Sequence, residues 1–120
     1  MTPPPVGPYS PWTRAGDLVV TSGQVAVGEG GRLVAGDAAA QTATALANLA
    51  AVLADAGARL TDVVKTTVYL VDMADFAAMN AVYAQAFGEH RPARATVAVA
   101  ALPLGAAVEV EAWAYSPQRD

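Results

Sequence analysis

Val108-Glu109-Val110-Glu111-Ala112-Trp113-Ala114-Tyr115 alternates small or branched apolar residues with residues that are charged or large and aromatic. A period of two marks a β-strand, whose successive side chains leave on opposite faces. Val108, Val110, Ala112 and Ala114 form one face, suited to helices packed over it. Glu109, Glu111, Trp113 and Tyr115 form the other. Two carboxylates beside two large aromatics suit neither open solvent nor a dry core. They suit a subunit interface that encloses a polar pocket.

Outward from this strand, Leu102-Pro103-Leu104-Gly105 connects it to a preceding strand at about Arg94–Ala100. A helix is expected over about Ala74–Phe87, with Phe76, Met79, Asn80, Tyr83 and Phe87 on one side and Gly88 as its stop. Asn80, an amide on an apolar stripe, is either a structural tie to a neighbouring loop or a pocket residue, and the structural reading is preferred. Asp62 to Leu70, rich in Val and Thr, reads as a strand. Asp37 is the expected N-cap of a helix reaching about Ala56 and stopped by Gly57. Within it Thr42, Ala45, Leu46, Leu49, Val52, Leu53 and Ala56 fall on one stripe. Asp17 to Val27 is a β-branched run interrupted by Ser22-Gly23, and Gly28 to Gly31 is a turn. The proline-rich first sixteen residues are expected to be extended or irregular. The order is ββαβαββ: one α+β domain over residues 1–120, with two helices on one face of a mixed sheet.

Composition points the same way. The 120 residues are 54% hydrophobic and only 15% charged, with a mean hydropathy of +0.32. A lone domain of this length buries only about two-thirds of its unfolded surface. Part of the apolar material is therefore expected to meet another subunit, although alanine accounts for some of it. The formal net charge is −4, the basic residues are scattered, and Lys65 is the only lysine. Nucleic-acid binders need clustered Lys and Arg to displace counterions, so no nucleic-acid partner is expected. No apolar run approaches the roughly 18 residues that span a bilayer. The start lacks the basic and apolar segments of a signal peptide, so no membrane association and a cytoplasmic location are expected. With no cysteine and His90 as the only histidine, no metal site is expected. Ser10 and Ser22 lack an evident partner base, and Gly28–Gly31 lacks a phosphate-cradling pattern.

An ordered set of fragments then resembles the Rid/YjgF family, the reactive-intermediate deaminases. Gly7-Pro8-Tyr9-Ser10, Thr21-Ser22-Gly23-Gln24, Gln41-Thr42 and Asn48-Leu49 carry the first half. Asp62-Val63-Val64-Lys65-Thr66-Thr67-Val68, Met79-Asn80-Ala81-Val82-Tyr83, Pro92-Ala93-Arg94, Leu102-Pro103 and Val108–Ala112 carry the second. The likeness spans about residues 7–115 with natural spacing. It implies a chorismate-mutase-like fold of the bacillary type, assembled as a homotrimer with a pocket at each subunit interface. It also implies a cofactor-free hydrolase that converts 2-imino acids, and enamine tautomers such as 2-aminoacrylate, to 2-keto acids and ammonia.

The resemblance assigns Arg94 to the substrate carboxylate, for which a planar guanidinium suits bidentate grip. Read without it, Arg94 is an ordinary strand-end arginine. Glu109 matches a glutamate near a water at the pocket, where it would act as general acid/base; the alternative is a structural partner of Arg94 or Lys65. Tyr9 matches the family's pocket tyrosine, Gly23 would bring backbone close to the ligand, and Thr96 would help orient the substrate. Ala95 stands where many active members carry Ser, and Thr96 where some carry Cys. The loop Gly88-Glu89-His90-Arg91 is shorter than in well-known members and lacks their pocket-closing aromatic. Two other functions remain open: a non-catalytic trimer that captures small carboxylates, and a pathway-specific relative acting on a larger carboxylated substrate.

Overall fold

Residues 4–117 are described by a computed structural model. Within them the chain forms β1 (Trp12–Ala15), β2 (Leu18–Thr21), α1 (Ala38–Asp55), β3 (Val63–Leu70), α2 (Phe76–Phe87), β4 (Ala93–Ala98) and β5 (Val108–Tyr115). The sheet order is β1-β2-β5-β3-β4. Every neighbouring pair is antiparallel except β3 and β4, which α2 connects as a parallel crossover. The expected mixed sheet with two helices is thus realised.

The two N-terminal strands differ from expectation. Trp12–Ala15 is a strand although it lies within the stretch expected to be irregular, and the run from Asp17 stays in the sheet only to Thr21. A tight turn explains the first: Ala15 pairs with Leu18, and Gly16 between them takes φ +60°. Beyond Ser22-Gly23, Gln24 makes one bridge to Val110 and Val27 one to Leu33. That segment is held instead by Asn48, whose Nδ2 donates to the Val25 and Val27 carbonyls at 3.0 and 2.9 Å.

The helices form for the anticipated reasons. Asp37 Oδ1 accepts from the Ala40 amide at 3.0 Å, satisfying one of the amides that open α1. Its stripe of Ala45, Leu46, Leu49, Val52 and Leu53 is buried. α2 starts two residues later than expected, because Met73–Asp75 forms a single 3-10 turn with Asp72 Oδ1 accepting from Ala74. Both helices cover the sheet face made by Val19, Val68, Leu70, Val108, Val110, Ala112 and Ala114, all buried. Burial of each leucine there contributes about 2 kcal/mol. The opposite sheet face carries no helix, and there Trp113 is 44% and Tyr115 53% exposed.

Candidate active site

Strand register decides where each candidate residue points. In the parallel β3–β4 pair Arg94 lies beside Thr66, and Thr96 beside Val68. Thr66 and Val68 are fully buried beneath the helices, so Arg94 and Thr96 leave the sheet on the helix side. Glu109 lies beside Tyr69 and Glu111 beside Thr67, so these two carboxylates leave on the bare side. The structure therefore separates the candidate residues into two groups on opposite faces. Within one protomer, the register rules out a pairing between Arg94 and Glu109.

The first group is built around Arg94 at the sheet edge. Its guanidinium carbon stands 4.8 Å from the Tyr83 ring centroid and 5.6 Å from that of Phe76, with the Met79 sulfur 3.9 Å from one terminal nitrogen. Aromatic faces attract the cation and hold its plane while leaving its N–H groups for other acceptors. Tyr83 is itself pinned, its hydroxyl sharing a 2.7 Å hydrogen bond with Thr66 Oγ1. Burial pushes the Tyr83 hydroxyl pKa upward, so it stays neutral beneath the arginine. Arg94 opens with Asn80, Tyr83, Ala84, Arg91 and Pro92 onto an open cleft of about 360 Å³. Asn80 Oδ1 and Thr96 Oγ1 are buried yet have no hydrogen-bond partner among the described residues. Orphaned buried polar atoms are uncommon. Asn80, read from the sequence as a structural tie, thus lines the cleft while its Oδ1 lies buried without a partner among the described residues.

The second group lies on the bare face. Gly23 packs so closely on Glu109 that a Cβ built there would come within 2.2 Å of Glu109 Oε2. Only glycine admits this approach without displacing the carboxylate. Half-buried Glu109 has its pKa raised, first by desolvation and then by the neighbouring Glu111. Tyr9 and Gly23 share a small cavity of about 40 Å³ with Pro4, Pro5, Val6 and Pro11 among its walls. Tyr69, which sequence reasoning did not single out, donates from its hydroxyl to Glu111 Oε1 at 2.6 Å. That bond, with burial and the nearby carboxylates, pushes the Tyr69 pKa up to about 12. Strand composition alone carried no sign of this pair, since it depends on register.

Other candidates resolve into structural roles. His90 Nε2 donates to the Val63 carbonyl at 2.7 Å and ties the short loop before Pro92 to β3. Ser22 donates to the Ser10 carbonyl at 2.6 Å, anchoring the N-terminal segment. Among the described residues, no group of three or more His, Cys, Asp or Glu side chains could hold a metal ion. No helix there is long and apolar enough to cross a membrane.

Comparison with known proteins adds names to this geometry. Residues 1–116 match the family model described as endoribonuclease L-PSP. A RutC family protein of Pyrococcus abyssi is 47% identical over 94% of this chain and 90% of its own length. A 2-iminobutanoate/2-iminopropanoate deaminase of Salmonella typhimurium is 43% identical over 92% of this chain and 88% of its own. RidA from an Antarctic Psychrobacter superposes with a TM-score of 0.91 at 42% identity, covering 95% of this chain and 93% of that one. Escherichia coli TdcF, solved with bound serine, superposes with a TM-score of 0.89 at 39% identity, covering 95% and 92%.

Proposed function

The chain belongs to the endoribonuclease L-PSP family, the RidA/YjgF proteins, and on that premise we propose that it hydrolyses 2-imino acids and their 2-enamine tautomers to 2-keto acids and ammonia. The observation that carries this reading is Arg94: a permanent cation stacked on two rings and facing a cleft. Such a group binds a carboxylate bidentately.

Glu109 supplies the proton chemistry from a second copy of the chain. One protomer holds Arg94 and Glu109 on opposite sheet faces, so a complete site forms when the bare face of one copy meets the Arg94 cleft of another. The exposed Trp113 and Tyr115 on that face supply apolar contact for a homotrimer of this kind. In the reaction, Glu109 takes a proton from water as the water oxygen bonds to the C=N carbon of the iminium. It then passes that proton to the nitrogen of the carbinolamine. As the C–N bond breaks and C=O forms, Glu109 takes the hydroxyl proton, and it returns this to the departing ammonia as ammonium. A carboxyl with a raised pKa suits both halves of the shuttle. No cofactor enters the scheme.

To test this, 2-aminoacrylate is generated in situ with a dehydratase and keto-acid release is followed. Wild type should accelerate release, and Arg94→Ala should lose about 100-fold or more of kcat/KM, as for a charge-assisted bidentate contact worth about 3 kcal/mol. Equal acceleration by Arg94→Ala would overturn the reading.

Serine bound to TdcF favours a second reading, in which the same arginine serves a non-catalytic trimer that captures small carboxylates. Calorimetric binding of serine or a 2-keto acid, with no imine turnover, would establish it. The nuclease named in the family description is not carried over to this chain. A net charge of −4 with scattered basic residues does not make the cationic surface that RNA binding needs.

A further inference from the structure

Glu109 is not alone on its face. Glu111 follows it by two residues on the same strand and so projects from the same side. Across the antiparallel pair, Tyr69 lies directly beside Glu109 and Thr67 beside Glu111. Tyr69 is therefore the diagonal neighbour of Glu111, a distance that an aromatic side chain spans. Its hydroxyl does so, donating to Glu111 Oε1 at 2.6 Å. A hydrogen bond donated to a carboxylate favours its ionised form. Glu109 instead sits under Gly23, closed off from water on that side. Of the two carboxylates, Glu111 thus has a hydrogen-bond donor fixed on it, while Glu109 is packed against Gly23.

We propose that Glu111, clamped by Tyr69, is a positioning residue for the reaction: it keeps a fixed negative charge beside Glu109 and thereby makes Glu109 the proton carrier of the pair. This rests on the imine-hydrolysis reading for its catalytic consequence, while the charge arrangement itself stands on the geometry. When two carboxylates share a face, the interaction raises the pKa of whichever is harder to ionise. The upward shift of Glu109, with Glu111 as its second cause after burial, agrees with that order.

The remaining groups near Glu109 leave the assignment intact. β3 offers Tyr69 and, farther along beside Trp113, the exposed Lys65. β4 offers only Ala93, Ala95 and Val97 on this side, and β2 only Leu18 and Val20. The covering segments bring Gly23, Gln24 and Tyr9, none of them charged at neutral pH. Glu111 is the one carboxylate of this protomer, among the described residues, set to bias Glu109.

Glu111→Gln tests the idea, because glutamine keeps the shape and can still accept from Tyr69 while removing the charge. In the assembled protein carrying 13C-carboxyl glutamate, the Glu109 resonance is assigned by its loss in Glu109→Gln and titrated by NMR. Its midpoint should move to lower pH in Glu111→Gln, and the acidic limb of kcat/KM for imine hydrolysis should move down with it. Tyr69→Phe, which frees Glu111 from its clamp, should move both in the same direction by a smaller amount. An unmoved or raised NMR midpoint in Glu111→Gln overturns the proposal. An NMR midpoint that moves while the acidic limb stays overturns its catalytic part. If wild type hydrolyses no imine at all, the functional reading falls, and the NMR titration still judges the pairing of charges by itself.

Discussion

Arg94 and Glu109 show two ways in which a fold prepares a single charged residue. Arg94 is permanently ionised, so the protein needs only to aim it. Stacking on Tyr83 and Phe76 does that without occupying its donors. Glu109 is prepared by burial, and burial has a cost that depends on pH. Because the folded protein disfavours its ionised form, folded Glu109 holds its proton above the ordinary value of 4.5. Below that value both folded and unfolded chains are protonated, and there is no penalty. As pH rises past it, the unfolded chain ionises first and stability falls, until the folded carboxyl ionises as well. Glu109→Gln carries no such proton. Its urea midpoint should match wild type near pH 4 and exceed it at pH 8, even as activity is lost. A difference of the same size at both pH values would show that burial of Glu109 is not what the folded state pays for at neutral pH.

At the scale of elements, legibility followed how local each cause was. β5 was readable because its alternation lies on one strand, and α1 because its cap and stripe are written in consecutive turns. β1 was not, because one of its two inward positions is filled by Arg14, which looks like a solvent residue. Its guanidinium in fact donates to the Ala56 and Ser116 carbonyls at 3.0 and 2.6 Å, covering the C-terminal end of α1. The face on which Arg94 emerges was equally hidden, since it depends on its parallel register with Thr66, 28 positions away in the chain. The resemblance to a family named the candidate residues, but it could not say that one protomer keeps them apart. The turn into β5 holds a further surprise: Leu104 adopts φ 62°, the left-handed region, where a branched side chain is strained by about 1 kcal/mol or more. It is also 50% exposed, so little packing holds it there. Leu104→Asn, which tolerates this conformation, should stabilise by about 0.5–1 kcal/mol, read as a rise of a few degrees in Tm. An unchanged or lower Tm would show that Leu104 makes contacts in the assembly that offset its strain.

For the molecule as a whole, the proposed function and the separation of Arg94 from Glu109 on opposite sheet faces together make assembly a condition of activity. The bare sheet face is apolar, through Trp113 and Tyr115, and also carries the half-buried Glu109. A copy docked on it would cover the aromatics and complete the site. This has a consequence that simple inactivation cannot mimic. Arg94→Ala and Glu109→Gln should each be inactive alone, since every site in either assembly lacks one half. Unfolded together and refolded as a mixture, equal amounts of the two chains should regain activity. A site that takes Arg94 from one copy and Glu109 from the next is intact when the first copy is the Glu109→Gln chain and the second the Arg94→Ala chain. Random mixing gives that combination at about one site in four, so the mixture should recover about a quarter of wild-type kcat. A site contained within one protomer would recover nothing, because every chain in the mixture carries a defect. Mixing without unfolding serves as the control: it should recover activity only as fast as the assemblies exchange their subunits.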